Sequence, residues 1–99
     1  MKACKGRHGM AHTIREKDKL IARVRRIRGQ LEGVERALEG GAACAEVLRQ
    51  LASARGALNG LTVEVMEGHL REHVLEAPTG DARRQGGEEL AHAIRTYMK

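Results

Sequence analysis

The chain has no phenylalanine and no tryptophan, and its one aromatic residue is Tyr97. A core built on large rings is therefore excluded, and so is a stacking platform for single-stranded nucleic acid. Proline occurs once, at Pro78, so little interrupts helix formation. No apolar run approaches the ~18 residues of a membrane span. The N-terminus carries lysine and arginine without a hydrophobic signal core, and a cytoplasmic protein is expected. Two cysteines, Cys4 and Cys44, do not make a disulfide framework. In a reducing compartment a cysteine near histidines is more often a ligand or a reactive thiol.

What is abundant is alanine, leucine, glutamate and arginine, the residues of helices. An all-α fold follows. At 99 residues the chain makes one domain at most and buries little core alone, so oligomerisation is expected. Met1–Gly9 lacks apolar periodicity, and residues 1–10 read as a disordered leader before a single helical domain at 11–99. Met10 opens the more regular MAHTIREK and is a second candidate start of translation.

Thr13 with Glu16 has the capping-box pattern, and a first helix is predicted from there to about Glu39. Its seam is Leu20, Val24, Ile27, Leu31, Val34 and Leu38, at alternating spacings of four and three. Gly40 and Gly41 end it. A second helix over Ala42–Glu76 repeats the pattern at Val47, Leu51, Ala54, Leu58, Leu61 and Val65. The short turn makes an antiparallel hairpin, and two hairpins make a four-helix bundle. Ala52, Gly56 and Gly60 fall on one stripe, which predicts close approach by another helix unless these are chance glycines. Pro78, Thr79 and Gly80 break the second helix. The segment through Gly87 reads as a linker, and Glu88–Met98 as a short third helix that caps the bundle or joins dimers into a tetramer.

Cys44 lies one step before the second seam, and His69 and His73 lie after it. Twenty-five positions at about 1.5 Å of rise put Cys44 and His69 roughly 37 Å apart, so one subunit cannot join them. Two antiparallel copies of the helix would bring Cys44 of one against His69 and His73 of the other, forming two equivalent sites. Residues four apart share a helix face and can bind one ion together. Thiolate and imidazole favour late first-row ions over magnesium or calcium. His12 is the obvious fourth ligand. A free amine at Ala11, if Met10 is the start and is removed, would raise the donor count to one that fits Ni(II) or Co(II) better than a closed zinc tetrahedron, although Zn(II) stays possible. Singly, each residue has a plainer reading: Cys44 as a small buried hydrophobe, the histidines as cations at a helix C-terminus. Their joint placement favours ligands.

Between Arg15 and Arg28 the first helix has a local excess of five positive charges, within a formal net charge of +5 and a pI near 9.8. Lys19, Arg23 and Arg26 share one face, and Arg15 extends the row. A solvated helix usually alternates charge, so this stripe reads as a phosphate-contacting surface for duplex DNA, with no helix-turn-helix evident. A zinc hydrolase would need an acid/base set beyond Glu67 and Glu72, and no enzyme is expected.

RVRRIRGQLEGVERALE (Arg23–Glu39), CAEVLRQLASARGALNGL (Cys44–Leu61) and VEVMEGHLREHV (Val63–Val74) resemble, in order, the CsoR/RcnR family of bacterial metal-sensing repressors, from about Ala11 onward. The resemblance implies an all-helical tetramer, a dimer of dimers, that binds operator DNA without metal, releases it on metal binding and so derepresses an efflux gene. Copper(I) sensors have cysteine in the place of His73. Formaldehyde-responsive members keep the residues matching Cys44 and His69, but typically have proline after the initiator and no histidine matching His73. MAHTIREK with Cys44, His69 and His73 resembles the nickel/cobalt branch, whose ligands match His12, Cys44, His69 and His73. The leader is a departure: retained, it removes the free amine beside His12 and offers Cys4 and His8. For DNA, the resemblance implies contacts at Arg23 and Arg26 on the first helix and adds Arg55 on the second. The alternative it leaves is a formaldehyde- or persulfide-responsive repressor acting through Cys44.

Overall fold

A computed structural model describes residues 16–98 of the chain, and among these every regular element is helical. Three α-helices occur: α1 (Lys17–Glu39), α2 (Cys44–Leu70) and α3 (Gly80–Tyr97). A five-residue π-helical turn, Arg71–Leu75, continues α2. The chain divides into two compact units, with Asp18–Val63 in one and the residues from Glu64 onward in the other.

The first unit is the expected hairpin. Helix α1 stops because Gly41 takes a left-handed conformation (φ 70°), which an L side chain resists. Its amide and that of Ala42 then turn back to the carbonyls of Leu38 (3.2 Å) and Ala37 (2.9 Å), a Schellman closure that satisfies the helix end. Helix α2 starts two residues later. The Ala43 carbonyl accepts from the amides of Glu46 and Val47, and the Glu46 carboxylate accepts from Arg49 (2.7 Å) and Gln50 (2.9 Å). Those two partners, Arg49 first, hold the Glu46 carboxyl down at about 2.

Three contacts give the antiparallel register. Gln30 faces Ser53, Gly33 faces Gln50, and the Arg23 guanidinium lies over Gly60, each pair symmetric about the Gly41–Ala42 junction. Between the helices Ile27, Val34 and Ala54 are buried. Only part of each seam is used in this way. Val24, Leu31 and Leu38 on α1, and Leu51 and Leu58 on α2, are 43–62 % exposed.

The stripe Ala52, Gly56 and Gly60 does not act as predicted within the hairpin. A Cβ on Gly56 would meet nothing within 4 Å, and one on Gly60 would meet only the flexible Arg23 side chain at 3.4 Å. Helix α2 is long, as expected, but its end widens into the π turn, where the Glu76 amide donates to the Arg71 carbonyl five residues back (2.9 Å).

The second unit corrects the linker reading of the residues up to Gly87. Residues 80–87 are helical and open an 18-residue α3. Thr79, in an extended conformation, caps the helix by accepting from the Ala82 amide at 3.0 Å, and Asp81 in the first turn suits the positive end of the helix dipole. Helix α3 packs against the π turn. No helix among the described residues is long and apolar enough to cross a membrane.

Candidate functional site

His69, in the last turn of α2, and His73, in the π turn, are among the most buried polar residues described, at 7 % and 8 % exposed. Their ring centroids are 4.6 Å apart with the planes tilted by 40°. The four-residue spacing thus places two imidazoles side by side, as expected.

The histidines are oriented from α3. His69 Nε2 lies 3.0 Å from the Gly86 carbonyl oxygen and 3.6 Å from Glu89 Oε1. Both neighbours are acceptors in their ordinary states, so the neutral ring carries its hydrogen on Nε2 and donates it to Gly86. The lone pair then sits on Nδ1. An imidazole whose outer nitrogen is tied to a carbonyl and a carboxylate is the usual arrangement of a metal-ligating histidine, so this residue fits a metal by its hydrogen bonding as well as its type. Glu72, between the two histidines in sequence, is also buried, whereas Glu67 is exposed.

Cys44 is a free, exposed thiol at the first position of α2. It and His69 lie toward opposite ends of that 27-residue helix. Among the described residues of one chain, no three His, Cys, Asp or Glu side chains converge on a common point suited to an ion. His12, Arg15, Cys4 and His8 lie outside the described residues.

On α1, Lys19 and Arg26 are exposed, while Arg23 is half-buried with its guanidinium against Gly60. Arg55 is exposed on α2. These four belong to the hairpin unit. Gly86 and Glu89 were not singled out from sequence. Their role depends on which turn of α3 meets the histidines, and no local pattern encodes that.

Residues 16–96 match a family described as metal-sensitive transcriptional repressors. A Serratia marcescens protein, described as an uncharacterized protein in the bioA 5′ region, is 54 % identical over 91 residues, which are 91 % of this chain and 100 % of that protein. The transcriptional repressor RcnR of Citrobacter koseri is 41 % identical over 90 residues, 91 % of this chain and 100 % of RcnR. Among solved structures, a variant of the formaldehyde-responsive regulator FrmR from Salmonella enterica serovar Typhimurium matches with a TM-score of 0.76 and 45 % identity, covering 84 % of this chain and 94 % of that one.

Proposed function

The chain belongs to the metal-sensitive transcriptional repressors, and from that premise we propose that it holds operator DNA while metal-free and releases it on binding Ni(II) or Co(II), derepressing a metal-efflux gene. The observation that carries this reading is the paired, buried imidazoles of His69 and His73, with His69 oriented so that Nδ1 keeps its lone pair. Similarity to RcnR favours the nickel and cobalt branch, with Zn(II) the remaining candidate.

Residues 11–99 would form the repressor domain behind a leader at 1–10, working in the cytoplasm. Cys44 of one protomer would complete the site formed by His69 and His73 of a second, with His12 as a further ligand. An antiparallel second copy of α2 would bring these residues together, and two-fold symmetry would make two such sites. The half-covered seams of the hairpin support a second copy, because monomers rarely leave a long apolar row in water. Two dimers would pair into the tetramer.

The basic face of Arg15, Lys19, Arg23 and Arg26, with Arg55, would lie along the phosphates of duplex DNA. His12 leads directly into that face. Holding His12 at the metal site would shift or stiffen the DNA-facing surface, and a coupling of about 1–3 kcal/mol would weaken DNA binding roughly 5- to 150-fold. The ion supplies a Lewis-acid centre that draws thiolate and imidazole donors together.

Titrating NiCl2 into the repressor–operator complex, followed by fluorescence anisotropy, should release the DNA. The His73→Leu protein should keep its DNA affinity and lose that response. Unchanged DNA affinity under saturating nickel and cobalt would refute the proposal.

A second reading has its own support in the exposed Cys44 thiol and the likeness to FrmR: modification of Cys44 by formaldehyde or a persulfide. It predicts that His73→Leu retains aldehyde-induced DNA release, whereas Cys44→Ala loses it.

A further inference from the structure

Three glycines lie in α3, at Gly80, Gly86 and Gly87. A Cβ on Gly80 or Gly87 would meet nothing within 4 Å. At Gly86 it would run into the carbonyl oxygen of His73 and come within 2.8 Å of both the carbonyl carbon and the Cβ of that residue. The obstacle is backbone, which cannot swing aside as a side-chain tip would. Glycine inside a helix is disfavoured relative to alanine, so a buried one needs a reason, and here it is direct seating of α3 on the π turn. The same residue presents its carbonyl to His69 Nε2 at 3.0 Å.

We propose that Gly86 is the positioning residue of the histidine pair: its carbonyl fixes His69 as the Nε2–H tautomer, and its lack of a side chain seats α3 against the His73 backbone. This deepens the metal-sensing reading and rests on it for the consequence that both imidazoles are set in place before an ion arrives. The two functions depend on each other. The 3.0 Å contact to His69 exists only while Gly86 lies against His73, so a side chain at position 86 would push α3 outward and withdraw the carbonyl from the ring. His69 would then be left with Glu89 as its remaining described neighbour on Nε2, at 3.6 Å. The helix dictates the opposite outcome at Gly87, where a methyl group has room and alanine improves propensity.

The test uses the full-length, metal-free protein at mildly alkaline pH, with tautomers read from long-range 1H–15N correlations and His69 assigned through a His69→Asn variant. The wild type should show His69 as the Nε2–H form. Gly86→Ala should mix the tautomers and lower Tm, while Gly87→Ala keeps the tautomer and raises Tm. With NiCl2 alone as probe, Gly86→Ala should bind about 10- to 100-fold more weakly than wild type. An Nδ1–H form in the wild type, or Gly86→Ala matching Gly87→Ala in tautomer and Tm, overturns the proposal. Should Gly86→Ala not fold, Glu89→Gln decides. Persistence of the Nε2–H form there supports Gly86 as the fixing group, and its loss assigns that part to Glu89 and overturns the proposal. If nickel leaves the His69 and His73 signals of the wild type unmoved, the ligand reading fails, while the metal-free comparison still decides the role of Gly86.

Discussion

Replacing Leu31 by alanine distinguishes a hairpin that stands alone from one that pairs with a second copy. Leu31 lies between Val24 and Leu38 on a row spaced by seven, and it is 48 % exposed in the single chain. Fully burying a leucine contributes about 1.5–3 kcal/mol, so covering the exposed half would contribute about 1 kcal/mol per protomer. Two protomers lose it together. A loss of about 2 kcal/mol corresponds to roughly 30-fold weaker dimerisation, because about 1.4 kcal/mol is a factor of ten. Sedimentation equilibrium across a dilution series, read beside the concentration dependence of Tm, measures this directly. In a hairpin that stays alone the same substitution should change stability by no more than about 0.5 kcal/mol, as exposed positions usually do. A Leu31→Ala protein that assembles with wild-type affinity would refute the assignment of this row to an interface. Ile27→Ala is the control, since Ile27 is buried within the hairpin and should cost about 2–5 kcal/mol at any concentration.

Other outcomes follow from the same geometry. Alanine at Arg26 or Arg55 should weaken binding to specific and random duplexes alike and reduce the log–log salt slope by about 0.9 for each protomer touching a phosphate, measured by anisotropy across a salt series. Thr79→Ala removes the cap of α3 and should cost about 1 kcal/mol in urea unfolding, with Thr79→Ser largely retaining it. The Glu46 carboxyl is held at about 2 against an ordinary 4.5 by its hydrogen bonds to Arg49 and Gln50, so its contribution is complete above 4.5 and is lost as pH falls through about 2. The pair is solvent-exposed and the effect is small, but the acid sensitivity of helicity in that window should be less steep in Glu46→Gln, by circular dichroism.

The hairpin was legible because its information is local and repeated. Two apolar seams with matching spacings, a Gly-Gly stop at Gly40–Gly41 and no strand-forming runs leave few alternatives. The histidine pair was legible for the same reason, as a spacing of four on a helix needs no tertiary knowledge. The start of α3 was not. Residues 80–87 carry one alanine and no larger apolar side chain, so periodicity is silent there, and Gly86 and Gly87 read as loop. What makes the stretch helical is the Thr79 cap and the docking of Gly86 against His73, and the second is a contact across thirteen positions. The glycine stripe of α2 misled in the opposite sense. Gly56 and Gly60 looked like a close-packing surface, but the close approach within the chain falls at the glycine that had been assigned to a linker. Spacing alone cannot tell a glycine that admits a neighbour from one that merely has room.

The five-residue turn Arg71–Leu75 also constrains how this chain can change in length. A wide turn carries a residue that a regular ladder would not accommodate, and deleting one residue would rotate everything after it by about 100° at 3.6 residues per turn. His69 would keep its bearing while the carbonyl that meets it moved to another side of the helix. Gains and losses of single residues should therefore be tolerated in Ala42–Ala43, between α1 and α2, and selected against between His69 and Pro78, whatever the substitutions there do to chemistry.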